Sequence, residues 1–164
     1  MGIVLLLKSC SSFLMKAKII TILFAVCYSI NTFSQNYNYT FIEAKVISPS
    51  SVEITLKTFA DKKKTVDIEA KCAALRIVMF DGIEGTIYNK PLLNQGTSTI
   101  HDNPSYFEEL FNYRLSDFIK SAKMLSGFKK AEKGEKSTIY NVEVNYIQLK
   151  KDLEKNKIKK QLGL

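Results

Sequence analysis

Two short stretches near the start of the polar part of the chain, Phe41 to Ile47 and Val52 to Thr58, have the hydrophobic pattern of β-strands. In the second, Val52, Ile54 and Leu56 fall on one side and Glu53, Thr55 and Lys57 on the other, the pattern of a strand solvated on one face. Ser48-Pro49-Ser50-Ser51 between them has the chemistry of a tight turn, so the pair reads as an antiparallel hairpin. The spacing then changes to a helical one. With Thr65 as cap, Val66, Ala70, Ala73, Ile77 and Phe80 share one face of a helix reaching about Phe80, and its small residues allow close approach to a sheet.

A long connection, Asp81 to Asn103, follows. Loops of this length within one domain are uncommon and often functional. Its Ile83, Ile87, Tyr88, Leu92, Leu93 and Ile100 are too apolar for a freely solvated loop. Either the segment covers the core, or it offers Tyr88, Leu92 and Leu93 to a partner; the second alternative is the expectation carried forward.

Asn103 as cap, Pro104 at the first helical position and Glu108-Glu109 in the early turns open the next helix. Phe107, Phe111, Leu115, Phe118, Ile119 and Ala122 continue its apolar face, as one long helix or two short ones. Met124 to Lys130 and Thr138 to Ile147 are predicted strands of a second hairpin, with Gly134 in the turn. A helix from about Gln148 to Asn156, with Leu149 and Leu153 inward, closes the chain. The order β-β-α-α-β-β-α predicts an α+β fold: a four-stranded antiparallel sheet of two hairpins, with helices on one face.

Ahead of these elements, residues 1–34 carry three lysines, no acid, and the apolar run Ile19–Ile30. A positive start, a short apolar stretch and a small-residue exit describe a secretory signal peptide; a membrane-spanning helix needs about 20 apolar residues. Thr32-Phe33-Ser34 suits cleavage before Gln35, and Met15 is a plausible second start. An uncleaved anchor and a lipoprotein are the alternatives, the latter disfavoured because neither Cys10 nor Cys27 follows a small residue in an uncharged setting. The expected division is therefore a signal peptide, 1–34, and one α+β domain, 35–164, ending in a Lys-rich helix and tail. The leader, ending in Ser34-Gln35-Asn36, resembles those of exported proteins of Bacteroidetes-type bacteria.

Composition narrows the class further. The chain has 164 residues, 46% hydrophobic and 24% charged, with 7 Gly and 3 Pro, which excludes collagen-like, disulfide-dense and fully disordered classes. Without the leader the formal net charge falls from +8 to +5. Only Cys72 remains, so no internal disulfide is available, and its apolar helical setting is that of a small buried hydrophobe rather than a nucleophile.

The basic residues concentrate at the C-terminus, where Lys150, Lys151, Lys155, Lys157, Lys159 and Lys160 form a candidate contact with an anionic surface. Arg is nearly absent and no aromatic residues interleave with the lysines, which disfavours nucleic acid. His101 with Ser98 and Asp102 makes a weak candidate triad, since no nucleophile-elbow sequence accompanies it. Asp81-Gly82-Ile83-Glu84-Gly85 matches a bare GxxG clamp and offers two carboxylates, but Glu84 would repel phosphate and the acidic spacing is not that of a calcium loop. A glycine stop to the preceding helix is the simpler reading. No metal-ligand spacing or phosphate-binding glycine loop is present, so no cofactor is expected.

The hairpin followed by Ala70-Lys71-Cys72-Ala73-Ala74-Leu75-Arg76-Ile77-Val78 resembles the small α+β domains of periplasmic lipoproteins and flagellar-assembly proteins of the bacterial envelope, over Phe41 to Phe80. That resemblance transfers no site residue. The expectation is an exported, non-enzymatic envelope domain that binds a protein or an envelope component. The alternatives are a small hydrolase using Asp81, Glu84, His101 or Asp102, and a peripheral membrane protein using the basic tail.

Overall fold

The computed structural model describes residues 38–60, 65–130 and 136–159, all within the unit Tyr37–Leu164. The leader, Lys160 and the turn at Gly134 lie outside the described residues.

The first hairpin forms as the alternation requires, with β1 (Tyr39–Ser48) antiparallel to β2 (Ser51–Ala60). Ser48, Ser50 and Ser51 hydroxyls bond one another across the turn, 2.9 and 3.1 Å apart. Val52, Ile54 and Leu56 are fully buried and Glu53 and Lys57 only partly, as the alternation predicts, but Thr55, expected on the wet side with them, is buried in the middle of that face.

Helix α1 (Val66–Arg76) follows with Thr65 at the N-cap position, whose carbonyl accepts from Glu69 N at 3.0 Å. Its Ala70, Ala73 and Ala74 are buried, and the helix lies across β2 and two later strands. The last turn widens to a π-helix, Ile77–Asp81, where Gly82 N donates to Ile77 O at 2.9 Å. Gly82 stops the helix, with φ +75° and ψ 174°, a region essentially restricted to glycine.

The remaining helices among the described residues are α2 (Ser98–Asp102), α3 (Pro104–Tyr113), α4 (Leu115–Phe118) and α5 (Tyr146–Lys155). Helix α2 falls inside the segment expected to be loop. Pro104 opens α3 as predicted, but Asn103 does not cap it through its side chain; the Asn103 amide instead donates back to Thr99 O at 3.1 Å and closes α2.

The second hairpin forms, but its first strand is split in two and begins earlier than expected. The helical pattern breaks after Phe118, and Ile119–Met124 is strand β3, with Ile119, Ala122 and Met124 opposite Val144, Val142 and Tyr140. Only Lys129–Lys130 of the expected Met124 to Lys130 strand remains as β4. Both pair with β5 (Lys136–Asn145), which also pairs with β2 along its whole length. Among the described residues the sheet therefore has five strands, not four, in the order β1-β2-β5-β3 with β4 also on β5, all antiparallel.

Strand β5 occupies the centre because it is the most regularly alternating stretch: Tyr140, Val142 and Val144 are buried against the helices, while Asn141, Glu143 and Asn145 face outward. It gives way to α5 at Tyr146 because Asn145 and Gln148 cap reciprocally. Gln148 N donates to Asn145 Oδ1 at 3.2 Å, and Asn145 Nδ2 donates to Gln148 Oε1 at 2.9 Å. The class is α+β as expected, and the outer face is polar, with Asn141 Nδ2 3.4 Å from Thr55 Oγ1 and Lys120 3.4 Å from Glu143.

Candidate binding surface

The Asp81 to Asn103 segment covers the core, which withdraws Tyr88, Leu92 and Leu93 as partner contacts. They are 5%, 1% and 3% exposed. The cause is the end of α1, whose last carbonyls need donors. Leu92 N donates to Val78 O at 3.2 Å and Leu93 N to Met79 O at 2.8 Å, which lays both leucines onto the core. Tyr88 stacks on Tyr146 with ring centroids 4.1 Å apart, and its hydroxyl donates to Ser48 O at 3.1 Å. Burial pushes both phenols above their ordinary pKa. Of the apolar residues named in this segment, Ile87 alone is exposed.

The basic tail is divided by the helix that carries it. Lys151 and Lys155, one turn apart, are exposed beside a shallow groove between α4 and α5. Lys150 turns to the other side, 4.0 Å from Glu154, and Lys159 lies close enough to both that burial first, and Lys150 second, lower its pKa. Lys157 is exposed at φ +60°, just past the helix end. The five described lysines thus form two groups and an isolated residue, rather than one surface.

The groove beside Lys151 and Lys155 contains a clasp. Arg114 Nη2 donates to Asp152 Oδ1 at 2.7 Å and Arg114 Nε to Asp117 Oδ2 at 3.1 Å, while the Tyr106 hydroxyl donates to Asp152 Oδ2 at 2.7 Å. The guanidinium also lies 5.4 Å from the Phe118 ring centroid. These bonds pair Arg114 with Asp117 and Asp152, leave Lys151 and Lys155 outside the clasp, and tie α3, α4 and α5 together.

The candidate catalytic residues are not assembled. His101 and Asp102 are exposed on α2, and Ser98 Oγ donates to Gln95 O at 2.7 Å. Asp81 accepts from the Tyr39 hydroxyl at 3.1 Å, and Glu84 is exposed in a turn. Among the described residues no hydrogen bond or ion pair joins His101 to Asp81, Glu84 or Asp102, and no three His, Cys, Asp or Glu side chains are grouped to hold a metal. Cys72 is buried, with Sγ 4.0 Å from Phe111 O.

Ile68, Ile87, Tyr113, Leu125 and Ile147 are exposed singly on other segments, whereas three exposed apolar residues share one strand, β1. Among the described residues this strand ends the sheet order, and Phe41, Ile42 and Ile47 on it are 44%, 47% and 47% exposed. Its register against β2 slips between Phe41 and Glu43 and again between Val46 and Ser48, so Ile42 and Ile47 sit at bulges. The sequence carried a signal for this: the adjacent apolar pairs Phe41-Ile42 and Val46-Ile47 break strict alternation, so both members of a pair cannot face the core.

Among the described residues no helix is long and apolar enough to cross a membrane. Comparison with protein-family models, with curated proteins and with solved structures finds no match to this chain.

Proposed function

We propose that this protein is an exported, non-enzymatic module of the bacterial cell envelope that binds a protein partner along the edge of its sheet. Export is supported by the charge and hydropathy pattern of residues 1–34. The binding role is carried by one observation: Phe41, Ile42 and Ile47 are each exposed on β1, the terminal strand among the described residues. An edge strand offers unpaired backbone donors and acceptors to an added strand, and its side chains supply selectivity.

A photo-crosslinking residue placed at Ile42 in the full chain, in native cells, tests this reading, with Ile87, which is more exposed still and lies outside β1, as the control. Adducts at Ile42 and none at Ile87 are expected; their absence at Ile42 overturns the assignment. N-terminal mass spectrometry of the same material reads export, with Gln35 the expected first residue.

The outer stripe of α5 favours one second reading, contact with an anionic membrane. Ile147, Lys151 and Lys155 recur at helical spacing and are all exposed. Binding to phosphatidylglycerol vesicles that fails in high salt and in Lys151→Glu/Lys155→Glu supports it; binding indifferent to both removes it.

A further inference from the structure

We infer that the partner of β1 is a second copy of this chain, added antiparallel across a two-fold axis at Ala44. The inference rests on the edge-binding reading above and names its occupant. Between the two bulges, β1 runs regularly from Glu43 to Val46, each residue opposite its partner on β2. The segment Phe41-Ile42-Glu43-Ala44-Lys45-Val46-Ile47 has two apolar residues at each end and one charge of each sign about a central alanine.

In a two-fold antiparallel pair, residues that face each other point their backbone groups the same way, so within a regular stretch the axis passes through a residue rather than between two. Four residues, Glu43 to Val46, can then carry the axis, and the one at Val46 sets no charge against a charge and leaves Phe41 and Ile42 unmatched. An axis at Glu43 sets glutamate against glutamate, and an axis at Lys45 sets lysine against lysine. The axis at Ala44 sets Glu43 against Lys45 of the second copy, and Lys45 against its Glu43. Beyond the regular stretch the same axis brings the Phe41-Ile42 end of one copy beside the Val46-Ile47 end of the other, so the apolar residues exposed at the bulges of each copy meet those of its mate. Charges on an edge strand ordinarily protect it from pairing. Charges of one sign would repel a second copy in each register that opposes them, whereas opposite charges two residues apart repel in two of these registers and attract in the third.

The experiment is sedimentation velocity of the purified protein over a concentration series, with Glu43→Lys, Lys45→Glu, the double swap, and an equimolar mixture of the two single variants. Each residue is exposed, so the swaps leave the core untouched, and circular dichroism of each variant checks this. The parent protein is expected to dimerise. Each single swap makes both interchain pairs like-charged and should weaken self-association about tenfold or more. The double swap and the mixture both restore two opposite-charge pairs, and both should dimerise.

A monomeric parent at every concentration overturns the second-copy assignment. Foreign adducts at Ile42 would then leave the edge-binding reading standing, and no adducts would remove both. A dimer that ignores the single swaps also overturns the assignment, because association then uses another surface.

Discussion

Arg114 on the link between α3 and α4 and Asp152 on α5 meet at 2.7 Å, and Tyr106 donates to the other oxygen of the same carboxylate at the same distance. The C-terminal helix is therefore held by one side chain that serves two donors. Asp152 and Arg114 are 16% and 25% exposed, so the pair is shielded from solvent more than an ordinary surface ion pair. Asp152→Ala strands both donors and is expected to cost about 2 to 3 kcal/mol, while Tyr106→Phe removes one hydrogen bond and should cost about 1 to 2 kcal/mol. Urea unfolding of the two variants checks the ranking as well as the sizes.

Gly82 and Gly85 separate backbone conformation from crowding. Both have positive φ, +75° and +73°, but a Cβ at Gly82 would lie 2.5 Å from the Asn89 carbonyl oxygen, whereas one at Gly85 meets nothing within 4 Å. Gly85→Ala should cost about 1 to 2 kcal/mol of backbone strain. Gly82→Ala adds the displacement of the loop that seals α1 and should cost clearly more. Thermal melts of both variants measure the difference.

Helix α5 ends in a Schellman arrangement. Ile158 N donates to Leu153 O at 2.9 Å and Lys157 N to Glu154 O at 3.0 Å, with Lys157 at φ +60°. A lysine there bears the left-handed penalty that glycine avoids. Lys157→Gly is expected to raise stability by about 0.5 to 1 kcal/mol, read as a higher urea midpoint at unchanged slope.

Thr58 is 1% exposed on the core side of β2, and its hydroxyl has no hydrogen-bond partner among the described residues. Valine has nearly the same shape and suits a strand. Thr58→Val should stabilise the fold by about 1 kcal/mol, because it removes a buried polar group that makes no bond. A lower melting temperature would contradict this account.

Alkaline pH offers a further test. Burial first, and then the Asp81 carboxylate it faces, push the Tyr39 phenol up to about 12 from 10.0, and burial with the Asp152 hydrogen bond raises Tyr106 as well. Between pH 10 and 12 the unfolded chain releases the Tyr39 proton while the folded chain keeps it. The unfolded state then binds fewer protons, so stability falls as pH rises through that window. Tyr39→Phe should lose less stability than the parent between pH 10 and 12, measured as melting temperature against pH.

The local elements were legible in the chain because they are encoded in neighbouring residues. Val52, Ile54 and Leu56 announce a strand with one dry face, and Ala70, Ala73 and Ile77 a helix that can lie close to it. Pro104 marks a helix start, and Gly82 a helix stop. The α+β class follows from the order of such elements, and it is the class observed. The Asn145 and Gln148 pair that begins α5 was equally present in the sequence, as a side-chain acceptor three residues before a matching partner.

Long-range geometry decided the rest. Ile119 and Ala122 fit the helical spacing begun at Phe107, and their strand conformation comes from pairing with Val144 and Val142, which no local pattern encodes. Tyr88, Leu92 and Leu93 could equally have been a core cover or a docking face; the open carbonyls of Val78 and Met79 drew them inward. Six lysines within one short stretch suggested one basic surface, and the helix dispersed those it carries around its axis. The edge position of β1, and with it the exposure of Phe41, Ile42 and Ile47, exists only once β5 has taken the other side of β2. Periodicity reports which face of an element is apolar, but which neighbour covers that face is set by the register and packing of the whole sheet.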